Sequence, residues 1–274
     1  MNPCYLTVKN LYILDEAGIP LVKDISFSMA ENGIFFLVGE TGSGKTLITQ
    51  AIAGTLAKRL TARGKVLFDG RNLLEFGDRQ WKELWGKSLF LIPQEPFAAL
   101  NPLLSVSRQV REIFEHIRSM DRRSAARETD RILDSLDISP SAAAERPGKL
   151  SGGMAQRVLL STALASPADM IILDEPTKGL DSDRKEEAIR LIGKLLGSGK
   201  TVLCITHDLA LPMKLGGRTG VLFSGMLVES GPSGQLFEAP SHPYTKGLLD
   251  ALPERGLNPI PDDLLRQMER AWTA

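Results

Sequence analysis

Only two cysteines, Cys4 and Cys204, occur in the 274 residues, and they lie far apart in sequence. With three histidines in the whole chain, no Cys/His cluster has metal-ligand spacing. Two distant cysteines point away from a disulfide framework and toward a reduced cytosolic protein, with Cys204 buried in the run Val202-Leu203-Cys204-Ile205. No apolar run approaches the ~20 residues that a membrane-spanning helix needs. The opening Met1-Asn2-Pro3-Cys4-Tyr5 lacks the pattern of a secretory signal. Charge of neither sign prevails, because Lys+Arg and Asp+Glu both number 33. Bulk electrostatics thus give no reason to expect a nucleic-acid partner. Repeats, low-complexity segments and long linkers are also absent. What remains is an ordinary globular composition, 43% apolar and 24% charged, long enough for one large domain or two smaller ones.

Residues 5–9 and 23–29 read as strands, the second with Ile25, Phe27 and Met29 alternating against Asp24, Ser26 and Ser28. Residues 34–38 are apolar throughout, as in a buried central strand. Further strands are predicted over 64–70, 88–92, 170–173 and 201–206, and a hairpin over 221–228. From about residue 97 to 165 the pattern turns helical. Val106, Val110, Ile113, Phe114 and Ile117 recur at helical spacing, a second helix covers 124–136, a loop 139–148, and a third helix ends near Ala165. Another helix spans 182–196, and a short amphipathic stretch lies near 264–272. Alternation of strands and helices predicts an α/β fold with a mainly parallel core sheet and a helical insertion between two pieces of it.

The organising element is Gly39-Glu40-Thr41-Gly42-Ser43-Gly44-Lys45-Thr46, which sits between the strand at 34–38 and a helical pattern over 47–56. Strand, glycine-rich turn and helix is the context in which G-x-x-x-x-G-K-[ST] binds a nucleotide triphosphate. Backbone N–H groups and the helix start cradle phosphates, Lys45 reaches the β- and γ-phosphates, and the Thr46 hydroxyl meets Mg²⁺. Asp174 and Glu175 end an apolar strand and so emerge at the sheet's carboxyl edge, where ligands of open α/β sheets bind. Asp174 is a candidate to hold Mg²⁺, and Glu175 to act as general base toward the attacking water. Gln94, in the turn Pro93-Gln94-Glu95-Pro96, is a candidate to reach Mg²⁺ and that water. His207 follows a strand and is a candidate contact to the γ-phosphate. Ser151-Gly152-Gly153 opens a helix and offers a second anion site. One complete phosphate loop with two anion-binding helix starts is what a nucleotide sandwiched between two copies requires.

Taken together, residues 39–46 resemble a Walker A motif, Gln94 a Q-loop, Leu150-Ser151-Gly152-Gly153-Met154-Ala155-Gln156-Arg157 an ABC signature, and residues 170–175 a Walker B with its glutamate. Gly179-Leu180-Asp181 resembles a D-loop, and His207 a switch histidine. Their order and spacing over residues 5–250 are similar to the ATP-binding subunits of ABC transporters. Residues 93–102 and His242-Pro243-Tyr244-Thr245 resemble the peptide/nickel importer branch, and Leu47, without a second Ser/Thr after Thr46, leans toward its nickel or metallophore members.

The resemblance implies a P-loop NTPase cassette over 1–250, with a mainly parallel core sheet, an antiparallel β subdomain and a helical subdomain inserted at about 97–165, and a C-terminal extension over 251–274. It implies ATP and Mg²⁺ as ligands, and a head-to-tail dimer with an identical or homologous cassette. Permease subunits are implied as partners, a solute-binding protein indirectly, and a peripheral place on the cytoplasmic face of the inner membrane. Lys45, Thr46, Asp174, Glu175, Gln94 and His207 of one subunit would face Ser151 and Gly153 of the other across ATP. The family stacks adenine on an aromatic near the position of Leu14 and Asp15, and Tyr12 is the nearest one here. The tail has no cysteine, so no iron–sulfur centre is expected. An alternative membership is the ABC ATPase of a soluble enzyme complex such as a carbon–phosphorus lyase assembly.

Overall fold

The computed structural model describes residues 4–253, 256, 258, 260 and 265. Its strands are β1 (Cys4–Leu14), β2 (Pro20–Ala30), β3 (Ile34–Val38), β4 (Thr61–Phe68), β5 (Arg71–Asn72), β6 (Leu89–Ile92), β7 (Met170–Asp174), β8 (Thr201–Thr206), β9 (Arg218–Phe223) and β10 (Met226–Pro232). The chain divides into two compact units.

The first unit comprises the described residues up to Ala30, Ile34–Glu75, and those from Thr206 onward. One of its sheets is antiparallel, in the order β2-β1-β4-β5. The alternation predicted for β2 holds: Ile25, Phe27 and Met29 are buried while Asp24, Ser26 and Ser28 are exposed. Strands run β10-β9-β3 beside it, with β3 and β9 parallel and β9 and β10 antiparallel. Every residue of β3 is buried. Phe35 of β3 stacks on Phe27 of β2, ring centroids 4.6 Å apart. The hairpin joining β9 to β10 turns on Ser224 and Gly225, both at positive φ, the backbone that a tight turn between twisted strands demands.

The second unit comprises Glu31–Gly33 and Phe76–Ile205. Strands β6, β7 and β8 are parallel neighbours in that order, and β7 and β8 bury nearly every side chain. The helices between β6 and β7 carry an apolar face at helical spacing. In the helix Arg122–Ser135 the buried residues are Ala125, Thr129 and Leu133, four apart, and Asp121 caps it by accepting from the N–H groups of Arg123 and Ser124.

Several boundaries differ from the sequence expectation. β1 runs on to Leu14, so Tyr12 sits within the strand. The helix after the phosphate loop stops at Ala53, because Gly54 adopts the left-handed cap. The helix begun at Val106 widens to a π-helix over Ile113–Ile117. Beyond it, Arg118 donates to the carbonyls of Ala165 and Ser166, at the C-terminal end of the helix Gly152–Ala165. The expected loop at 139–148 instead holds a short helix, Pro140–Ala144, and a 3₁₀ turn, Pro147–Lys149. In both, proline occupies a first helical position, where its missing N–H costs nothing, and Ser139 caps the former. His242-Pro243-Tyr244-Thr245, read only as a branch marker, starts the helix Pro243–Asp250. The amphipathic stretch expected near 264–272 lies outside the described residues, apart from Leu265.

Candidate functional site

In the first unit, β3 delivers the chain into the glycine loop. Gly39 leaves the strand at φ 155°, and a Cβ there would lie 2.3 Å from the Leu222 carbonyl oxygen of β9, so no other residue fits. Gly44, at φ 100°, caps the helix Lys45–Ala53. The helical ladder starts with Ile48 N–H donating to Gly44 O at 3.1 Å. Helix geometry leaves the N–H groups ahead of it for an anion. The β9–β10 turn braces this loop from outside, since Gly225 N–H donates to Ser43 O at 3.1 Å.

Lys45 is 4% exposed, although it carries the loop's charge. Its ammonium donates to Gly39 O at 2.6 Å, Glu40 O at 2.7 Å and Ser43 Oγ at 3.3 Å. The lysine thus rests on its own loop. Thr46 is exposed, and Gly42 has open space where a side chain would be. A buried cation, a glycine with free room and the unladdered start of a nine-residue helix form a cradle that fits a polyphosphate. His207, exposed, lines an open cleft of about 320 Å³ with Gly39, Glu40 and Thr41, whose other wall includes Leu248 and Leu252.

The second unit holds the remaining candidates. Asp174 ends β7, and Glu175 follows at φ 51°, 8% exposed. A non-glycine residue in this region is uncommon. The surroundings fix it: Glu175 N–H donates to Ile205 O at 2.8 Å and its carbonyl accepts from Lys178 N–H at 3.1 Å. Gln94 lines a small, mainly apolar cavity with Gln156 and Pro176. Ser151 caps the helix Gly152–Ala165 by accepting from Met154 N–H, and a side chain at Gly152 or Gly153 would meet nothing within 4 Å, so this helix start is open to a ligand. Asp181 caps the helix Ser182–Gly197.

The structure therefore gathers residues 39–46 with His207 in one unit, and Gln94, Asp174, Glu175 and residues 151–153 in the other. Two residues without a role in the sequence reading stand out. Gln156 donates to Pro176 O at 3.1 Å, tying the signature helix to the turn after Glu175. Tyr244 accepts from Glu40 N–H at 3.3 Å, reaching the phosphate loop from the C-terminal helix. Both stood inside quoted motifs, but neither contact has a signature in local sequence, because the partners are 20 and 204 positions away. Tyr12, the aromatic nearest the expected adenine position, is 37% exposed on β1.

Residues 22–178 match the family model described as ABC transporter, and residues 228–268 match the C-terminal region of oligopeptide/dipeptide transporters. The dipeptide transport ATP-binding protein DppD of Lactococcus lactis is 31% identical over 90% of this chain and 73% of its own length. The oligopeptide transport ATP-binding protein OppD of Haemophilus influenzae is 32% identical over 92% of this chain and 80% of its own. Among solved structures, a dimeric bacterial ABC transporter cassette superimposes with a TM-score of 0.72 at 26% identity, covering 83% of this chain and 98% of that one. The same cassette bound to ADP and Pi in a post-hydrolysis state gives 0.71, at the same identity and coverage. The CbiO1 protein of Clostridium perfringens, at 22% identity and TM-score 0.76 over 97% of this chain and 99% of its own, agrees in fold. On the family match and these relatives, the chain belongs to the ABC transporter family as one of its ATP-hydrolysing cassettes.

Proposed function

We propose that this chain energises a membrane importer of peptides, working as a pair of cassettes beneath two permease subunits. The match of residues 228–268 to the C-terminal region of oligopeptide/dipeptide transporters carries this reading. It also favours transport over the ATPase of a soluble enzyme complex. The quoted relatives are named for dipeptides and oligopeptides, so peptides rank above the nickel or metallophore solutes toward which Leu47 leans. Among the described residues no helix is long and apolar enough to cross a membrane. On this proposal the subunit attaches peripherally to its permease, on the cytoplasmic side.

Within the cassette, residues 39–46 hold the phosphates of ATP, and Lys45 moves from its resting carbonyls to the β- and γ-phosphates. Ser151, Gly152 and Gly153 of the partner cassette close over the same nucleotide. Glu175 accepts a proton from the attacking water. That water's oxygen bonds to the γ-phosphorus as the bond to the bridging oxygen breaks, giving ADP and phosphate. Gln94 orients the water, and His207 contacts the γ-phosphate. Thr46, Asp174 and Gln94 offer oxygen donors, the set a hard divalent cation prefers, and Mg²⁺ bound there neutralises charge on the phosphates. The helical segment over residues 97–149 passes dimer closure to the permease.

Affinity purification from membranes and from cytosol, with mass spectrometry of what accompanies the chain, tests this reading. Two permease subunits with a second cassette are expected. A soluble set of enzymes without any membrane protein would overturn the transport assignment and leave the ATPase chemistry standing.

A further inference from the structure

We propose that Tyr244 is a positioning residue of the ATPase site: its hydroxyl fixes the Gly39–Glu40 peptide on which Lys45 rests. The C–O and N–H of one peptide plane are held from opposite ends. Its oxygen, Gly39 O, accepts from Lys45 Nζ at 2.6 Å, and its N–H, on Glu40, donates to Tyr244 Oη at 3.3 Å. A peptide plane is rigid, so fixing the N–H fixes the direction of the carbonyl. The lysine's resting place is thereby set by a residue 199 positions away, in the C-terminal helix (244 − 45 = 199).

Tyr244 is suited to this task. It is fully buried, and its ring packs on Phe223 with centroids 4.5 Å apart. Phe223 ends β9, the strand whose Leu222 carbonyl abuts Gly39 and whose following turn holds Ser43 through Gly225. Burial raises the Tyr244 pKa to about 12, so the phenol stays neutral and keeps its proton throughout the physiological range.

The helix bearing it is anchored at its start. Glu229 of β10 accepts from Ser241 N–H at 2.8 Å, Ser241 Oγ–H at 2.7 Å and His242 N–H at 3.1 Å, and His242 Nδ1 accepts from Tyr244 N–H at 3.1 Å. The chain runs from a sheet strand through a capped helix start to a buried phenol, and ends on the phosphate loop. The C-terminal region is thus part of the nucleotide site's own framework.

Tyr244→Phe in the full-length chain keeps the ring and removes the hydroxyl. KM for ATP is expected to rise about 5-fold, because without the hydroxyl the nucleotide itself must order the Gly39–Glu40 peptide that one neutral hydrogen bond holds in place beforehand. Turnover at saturation and the thermal midpoint are expected to stay near wild type. In the nucleotide-free protein, acylation of Lys45 by an amine-reactive reagent, read by mass spectrometry, is expected to quicken, because the lysine's carbonyl perch has loosened. An unchanged KM and unchanged Lys45 labelling overturn the proposal. So does a uniform fall in thermal midpoint and turnover without a KM change, which marks a packing role alone. If Tyr244→Phe does not fold, Glu229→Gln decides by the same two readouts. A raised KM with faster Lys45 labelling sustains the proposal, and wild-type values for both remove it.

Discussion

The Gln156 side-chain amide donates to the Pro176 carbonyl oxygen at 3.1 Å. Gln156 lies in the second turn of the helix that Ser151 caps, and Pro176 directly follows Asp174 and Glu175. The helix start proposed to close over ATP in a partner's site and the turn after Glu175, the proposed base, are therefore joined inside one unit. A shift of either element bears on the other through this bond.

Gln156→Ala cuts that connection while leaving the helix cap, the apolar neighbours and the phosphate loop in place. Hydrolysis at saturating ATP is expected to fall about 5-fold, the value of one neutral hydrogen bond, with ATP affinity unaltered. Steady-state turnover and nucleotide titration together check this. An unaltered rate would show that the two elements do not depend on the bond.

Lys45→Ala removes the buried ammonium that rests on Gly39 O and Glu40 O and that is proposed to move onto the phosphates. Charge-assisted hydrogen bonds are worth about 1.5–3 kcal/mol, so calorimetric ATP affinity is expected to fall roughly 10- to 100-fold. Lys45→Arg is not expected to restore it, because a planar fork cannot occupy a 4%-exposed perch built for a compact ammonium.

Glu175→Gln preserves shape at a residue whose main chain is pinned on both sides, by Ile205 O and by Lys178 N–H. ATP binding is expected to survive, steady turnover to drop by about 10²–10⁴-fold, and an ATP-bound dimer to persist in size-exclusion chromatography with nucleotide present. Normal turnover would remove Glu175 as the base.

The glycine turn between strand and helix, the carboxylates at the end of β7 and the helix start after Ser151 were legible as structure because each is local. Gly39 must follow a strand, Ser151 must precede a helix, and both requirements are written within a few residues. The alternation of β2 was readable for the same reason. The cap by Gly54 and the helix at Pro140–Ala144 escaped because a single Gly or a Ser-Pro pair is compatible with both loop and helix until packing decides. Tyr244 escaped for a different reason. Its hydroxyl meets Glu40 across the first unit, and no periodicity in either segment encodes which backbone N–H a buried phenol will reach.

The anchoring of the C-terminal helix should weaken on acidification, in two separable stages. Burial holds the His242 pKa below its ordinary value of 6.5, although Glu229 beside it opposes the shift. The unfolded chain therefore takes up the proton first, and folding is penalised as pH drops below about 6.5. Protonation also converts Nδ1, the acceptor for Tyr244 N–H, into a donor. Glu229 behaves differently in detail. Burial pushes its pKa up, but hydrogen bonds from Ser241 and His242 outweigh burial and hold it below 4.5. Its contribution is complete above that pH and is lost only as pH falls further, through its folded value. The thermal midpoint of the wild-type chain is thus expected to decline between pH 7.5 and 5.5 through His242. His242→Asn supplies a helix-capping oxygen that does not titrate, so its midpoint should be flatter over that interval and then follow the wild type in the more acidic range where Glu229 protonates. Equal slopes for the two proteins above pH 5.5 would show that His242 does not set the first stage.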